Sequence, residues 1–228
     1  MKILDTDSLI ITVDRFNEAV FLEKDWRKEA ESIVAWVSDR LGCGYAGSFA
    51  MTENDWQRPF HLFTGEKITT RAGRSHVIAQ ETNRMFEIIE KETGDSIEAK
   101  TISEERLARR IFEDERSIAL STGDYCCGTC SVSLWRCMSA GGYSQFGEAL
   151  PRGLKTLARY REETGGWRRY PFYYTMLGLI GITRKVAADE LRYHTPLIVK
   201  RTKWLANKQD SFSRRRHEVL VQALALAE

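Results

Sequence analysis

The sequence predicts an all-α fold: one domain over residues 1–228, built from about nine or ten helices stacked as α/α hairpins. Three observations predict it. Apolar residues recur at helical spacing in nearly every segment. Alternating β patterns are absent apart from a short ambiguous run, LIITV, near the start. Glycines punctuate the helical stretches, and nothing between them reads as a flexible linker.

The first clear helix is DWRKEAESIVAWVSDRLG. Ala30, Ile33, Val34, Val37 and Leu41 form one apolar stripe, with Asp25 as cap and Gly42 as stop. SHVIAQETNRMFEIIEKETG repeats the pattern through Ile78, Met85, Ile88 and Ile89 to Gly94. Ser103 is expected to open the next helix, which runs towards Gly123. The cysteine-rich stretch from Asp124 follows as a helix ending at Gly141-Gly142. Pro151 suits a first helical turn, with Leu154, Leu157 and Ala158 facing inward before Gly165-Gly166. PFYYTMLGLIGI is apolar around most of its circumference, which predicts a buried helix. The last helix begins near Ser211 or Ser213 and ends at Ala227.

The 228-residue chain is 43% hydrophobic and 29% charged, ordinary for a globular protein with a real core. No apolar run approaches the roughly 20 residues needed to span a bilayer. The opening MKILDTDSLIITVDRF lacks the pattern of a secretory signal, and four of the five cysteines crowd into one stretch. A reduced, cytoplasmic setting is expected. The net charge of +2 does not by itself argue for nucleic acid. The C-terminal stretch is nevertheless basic: Lys200, Arg201, Lys203, Lys208, Arg214, Arg215 and Arg216 face only Asp210, Glu218 and Glu228. A solvated helix face explains it most simply; a nucleic-acid footprint is the alternative.

Glycine-aromatic punctuation recurs at Gly42-Cys43-Gly44-Tyr45, Gly141-Gly142-Tyr143 and Gly165-Gly166-Trp167. Each glycine suits a left-handed helix stop, and each ring can pack beneath the turn. The segment RGLKTLARYREETGGW, residues 152–167, resembles the repeat of the terpene cyclase and protein prenyltransferase superfamily. Arg152-Gly153, Leu157 and Gly165-x-Trp167 match that repeat, whereas Thr156 and Arg161 replace its aromatic and its Gln. The resemblance implies an α/α toroid around an apolar funnel, here an incomplete ring that a second copy would complete. It also implies zinc, carried by Asp124, Cys126 and His194, that activates a thiol or water. The cyclases' acidic Asp-x-Asp-Asp motif is absent.

DYCCGTCSVSLWRC places four cysteines in fourteen positions. On an ideal helix Cys126, Cys127, Cys130 and Cys137 share an arc of about 100°. Close helix packing is the reading that asks least of this stretch, since Gly128, Ser131 and Ser133 also make it slim. Cys127-x-x-Cys130 also has the spacing of a zinc pair, for which His61, His76, His194 and His217 are the remaining donors. A reactive thiol at a helix start is the third reading.

Other stretches carry weaker signals. The glycine-rich loop from Gly42 to Trp56 lacks a P-loop string and reads as a helix connection. Arg71, Arg74 and His76 flank a helix start that would suit an anion, though polar capping explains them. Arg168 and Arg169 are expected to reach water from an aromatic layer. The leading functional expectation is an apolar recess lined by Trp135, Tyr143, Trp167, Tyr170, Phe172, Tyr173 and Tyr174. It would bind an apolar small molecule or peptide and requires no cofactor. The alternatives are the zinc-dependent prenyltransferase-like enzyme and the nucleic-acid-binding module.

Overall fold

Helix α4, Arg71–Thr93, is the element on which the others pack. Thr70 caps its start by accepting from the Gly73 N–H, and Gly94 stops it in the left-handed conformation at φ 79°. Both of its sides are buried. Ile78, Met85, Phe86 and Ile89 join one hydrophobic cluster with α1 (Leu9–Phe21) and α2 (Ala30–Ser38). Val77 and Ala79 join a larger cluster built from the C-terminal half. Between them Gln80, Glu81, Thr82 and Asn83 are buried too, so the apolar stripe read from the sequence covers only part of the helix's contact surface.

The computed structural model describes residues 2–183 and 185–227; Glu228, counted above among the tail's acids, lies outside them. The fold is all-α, 66% helical, with eleven α-helices among the described residues. The remaining helices are α3 (Glu53–Gln57), α5 (Glu98–Ala108), α6 (Ala119–Thr122), α7 (Gly128–Ala140), α8 (Ala149–Ala158), α9 (Phe172–Ile180), α10 (Lys185–Leu205) and α11 (Ser211–Ala227). A two-residue hairpin pairs β1 (Phe60–His61) with β2 (Lys67–Ile68) in antiparallel register. No helix is long and apolar enough to cross a membrane. Helix α7 is buried along most of its length against α4, α8 and α9, while α10 and α11 pack along each other.

Local chemistry explains where the boundaries differ from expectation. LIITV is helical, because Ser8 Oγ accepts from the Ile11 N–H at 3.1 Å and starts α1 there. The segment expected to open at Ser103 begins at Glu98, and Ser103 lies buried inside α5. That segment then breaks after a π turn, where Asp114 turns extended and its carboxylate accepts from the Arg116 N–H. Helix α7 starts at Gly128 rather than at Asp124, with Cys127 extended as its N-cap.

The turn after α8 follows the sequence reading. Gly165 and Gly166 have φ of 82° and 96°, and Trp167 is buried in the cluster that holds Leu157. Its ring lies 5.9 Å from that of Phe172. Arg161, which stands where the resembled repeat has Gln, pairs with Glu190 at 2.6 Å. Glu190 is 1% exposed and also accepts from Trp167 Nε1 at 3.2 Å. The pairing bridges a sequence separation that local patterning does not read.

A second buried carboxylate holds the centre. Glu81 on α4 accepts from Arg136 Nε and Nη2 on α7 at 2.7 and 3.2 Å. It also accepts from Tyr174 Oη on α9 at 2.6 Å and from Asn17 Nδ2 on α1 at 3.0 Å. Burial alone would raise its pKa, but Arg136 and the other donors outweigh burial and hold the group at about 2.

Two outcomes follow from these carboxylates. The folded-state pKa of Glu81 lies below its ordinary 4.5, so its contribution is complete above about pH 4.5 and is lost as pH falls towards 2. Melting temperature measured across that window should drop, by the equivalent of about 3 kcal/mol from this group, and Glu81→Gln should flatten the dependence. Arg161→Gln should destabilise by about 1–3 kcal/mol in urea titrations, because it leaves the Glu190 carboxylate buried without its cation.

Candidate metal centre

The head of α7 is shaped by a backbone crossing. A Cβ at Gly128 would collide with the carbonyl of Arg169, so only glycine lets segment 169–170 pass over the first turn. The preceding loop folds back onto that turn. Tyr125 N–H donates to Ser131 Oγ at 2.9 Å, Ser131 Oγ donates to the Cys127 carbonyl at 2.8 Å, and Trp135 Nε1 donates to the Gly123 carbonyl at 2.7 Å. This brings Cys126 and Cys127 beside Cys130, one turn further along.

His76, in the second turn of α4, faces them. Its Nδ1 lies 3.3 Å from Cys126 Sγ and 3.7 Å from Cys130 Sγ, and the three donor atoms lie within 4.8 Å of one another. Cys127, the extended N-cap residue of α7, is exposed beside them at the same junction. The imidazole is packed between the rings of Tyr45 and Tyr125, at 4.3 and 4.9 Å. Their hydroxyls bond each other at 2.7 Å, and Arg110 Nε donates to Tyr45 Oη at 3.3 Å. Burial lowers the His76 pKa from 6.5, which favours the neutral ring, and its Nε2–H tautomer has a lone pair on Nδ1 to offer.

The spacing suits a tetrahedral ion. With zinc–sulfur and zinc–nitrogen bonds of about 2.3 and 2.0–2.1 Å, a tetrahedral N···S edge is about 3.5 Å. The two observed separations bracket that length. Protonation fits as well. The neighbouring Cys126 and Cys130 thiols, with the backbone amides of Cys130 and Thr129 adding, shift the Cys127 thiol below its ordinary range. The same grouping pushes Cys126 up to about 11 and Cys130 higher still. One thiolate forms readily, and its neighbours resist a second and third. A bound dication removes that repulsion, because a coordinating thiol is deprotonated outright.

Of the three residues implied by the prenyltransferase resemblance, only Cys126 is here. Asp124 Oδ1 accepts from Tyr170 Oη at 2.7 Å. His194 lies under the Gly165-Gly166-Trp167 turn, its Nδ1 accepting from the Gly166 N–H at 3.3 Å and its ring 4.1 Å from that of Trp167. The bond to Nδ1 puts its proton on Nε2, 3.7 Å from Glu190. The structure therefore does not bring Asp124, Cys126 and His194 together.

Among the aromatic residues expected to line a recess, Trp135, Tyr143, Trp167, Tyr170 and Tyr174 are buried in the core. Phe172 and Tyr173 are half-buried beneath Arg201, whose guanidinium sits 4.0 and 5.2 Å from their ring centres. In the basic tail, Arg215 pairs with Asp14 and Glu18, and Arg216 Nε donates to the Thr64 carbonyl at 2.6 Å. Lys200, Lys203, Lys208 and Arg214 remain exposed. Arg168 and Arg169 reach water, as expected, with Arg169 bonded to Tyr160 Oη. Close packing describes two cysteines of the cluster: Cys130 and Cys137 are both buried in the core, Cys137 against Gly142.

No family model, curated protein or solved structure matches the chain, so its side-chain chemistry carries the functional reading.

Brief iodoacetamide treatment of the metal-free folded protein should modify Cys43, Cys126 and Cys127, which are exposed, and spare Cys137 until unfolding. Peptide mass spectrometry reads this; rapid labelling of Cys137 in the native state would contradict the assigned packing.

Proposed function

We propose that this chain is a zinc-binding helical protein in which Cys126, Cys127, Cys130 and His76 hold one ion. The observation that carries this reading is His76 Nδ1 lying 3.3 and 3.7 Å from two cysteine sulfurs of the same loop–helix junction. Three thiolates and an imidazole form a soft donor set that favours zinc over magnesium or calcium. Four protein ligands leave no open position, so the ion acts structurally, fastening the head of α7 to α4. The neutral imidazole and the easily ionised Cys127 thiol make first binding possible at neutral pH, and the ion then displaces the remaining thiol protons.

A second reading, a thiol–disulfide switch, is supported by three free thiols, Cys126, Cys127 and Cys130, at one loop–helix junction, the first two exposed. Two thiols would give one disulfide, passing two electrons and two protons to an oxidant such as glutathione disulfide.

Metal analysis of protein purified without chelator separates the readings. About one zinc per chain is expected, retained on dialysis, lost in His76→Ala and Cys130→Ser, and kept in Cys137→Ser. Zinc should protect Cys126 and Cys127 from alkylation while leaving Cys43 reactive. Failure to take up zinc at micromolar concentrations, together with disulfide formation under glutathione disulfide, would replace the first reading with the second.

A further inference from the structure

A second feature lies on the far side of the Glu81 junction. Helices α1, α4, α7, α9 and α11 enclose a recess of about 480 Å³ open to solvent, a size suited to a small ligand. Its apolar wall comes from Val20, Phe21, Phe63, Leu177 and Ile180. Two guanidiniums, Arg84 and Arg136, also line it, with Asn17 and Gln222 as neutral polar neighbours.

The charges here do not cancel. Glu81 is the carboxylate that meets Arg136, and its acceptor positions are already taken by Arg136, Tyr174 and Asn17. Among the described residues no carboxylate lies within 4.0 Å of the Arg84 guanidinium; its one hydrogen bond is from Nη1 to Asn17 Oδ1, at 2.6 Å. Arg136 uses Nε and Nη2 on Glu81, which leaves Nη1 without a protein acceptor among the described residues. The Arg136 side chain is 6% exposed. Burial and the neighbouring Arg136 push Arg84 down to about 10, so it stays charged at neutral pH. The acid on the recess wall, Glu23, is exposed to solvent.

We propose that this recess binds an anionic amphiphile, with a carboxylate or phosphate head on Arg84 and Arg136 and an alkyl tail along Phe21, Phe63, Leu177 and Ile180. The guanidinium fork suits either head, and the apolar wall excludes water from the pair. A half-buried guanidinium with no carboxylate on it among the described residues is expected of a group whose partner arrives with the ligand. None of these residues belongs to the cysteine–histidine centre, so either site can fail independently.

Isothermal titration of the full chain with dodecanoate, dodecyl phosphate and dodecanol, each below its aggregation limit, tests this. One anion per chain should bind at least tenfold more tightly than dodecanol, and the order of the two anions identifies the preferred head. Arg84→Met should reduce anion affinity to that of dodecanol while raising the melting temperature of the ligand-free protein. Leu177→Trp should weaken all three ligands by filling the recess, and Arg214→Gln, exposed on α11, should change none. Equal affinity for dodecanol and the anions, or unchanged binding in both Arg84→Met and Leu177→Trp, would overturn the proposal.

Discussion

One buried carboxylate sets the geometry on which the rest depends. Glu81 reaches α7 through Arg136, α9 through Tyr174 and α1 through Asn17, so four helices share one acceptor group. A carboxylate has room for about four such bonds, and these are taken. A rotation or slide of any of the four helices would leave a charge or a donor buried without a partner, which typically costs several kcal/mol. Packing of apolar residues alone tolerates small slides more readily.

That junction fixes the register of α4 against α7. The two helices run in parallel, as three contacts in step along them show: His76 with Cys130, Glu81 with Arg136, and Glu87 beside Gly141. His76 precedes Glu81 by about 7.5 Å of helix rise, and Cys130 precedes Arg136 by about 9 Å. The imidazole and the thiols therefore meet because the carboxylate and guanidinium do. Zinc would add a second fastening at the end of this helix pair where the backbone crossing at Gly128 has opened the first turn. On the other side, Arg84 bonds Asn17 rather than Glu81, whose acceptor positions are taken by Arg136, Tyr174 and Asn17. One arrangement thus positions both the His76–cysteine cluster and the recess lined by Arg84 and Arg136.

The helical content was legible because apolar spacing survives in most segments. The Gly165-Gly166-Trp167 turn was legible as well, since glycine chemistry and a following ring specify it locally. The start of α7 was not: Gly128 matters because Arg169 crosses it, and that approach involves a segment some forty residues later in the chain. His76 stood among the available donors, but no pattern in the sequence links it to Cys126. That link depends on Glu81 and Arg136, two polar residues inside segments otherwise read for their apolar stripes. The Arg161–Glu190 pair escaped local patterning for the same reason, with Glu190 far along the chain on α10. The aromatic-rich stretch was read as a recess wall; Trp167, Tyr170 and Tyr174 are core residues, Phe172 and Tyr173 are half-buried, and a recess lies where arginines take the place of apolar residues.

The central claim is that the α4–α7 register presents three sulfurs and one nitrogen to a single ion. X-ray absorption at the zinc edge of the zinc-loaded protein tests it most directly. The account predicts about three sulfur scatterers near 2.3 Å and one imidazole nitrogen near 2.0–2.1 Å, with the nitrogen contribution lost in His76→Ala. A shell made only of oxygen and nitrogen, or one unaffected by that substitution, would contradict it.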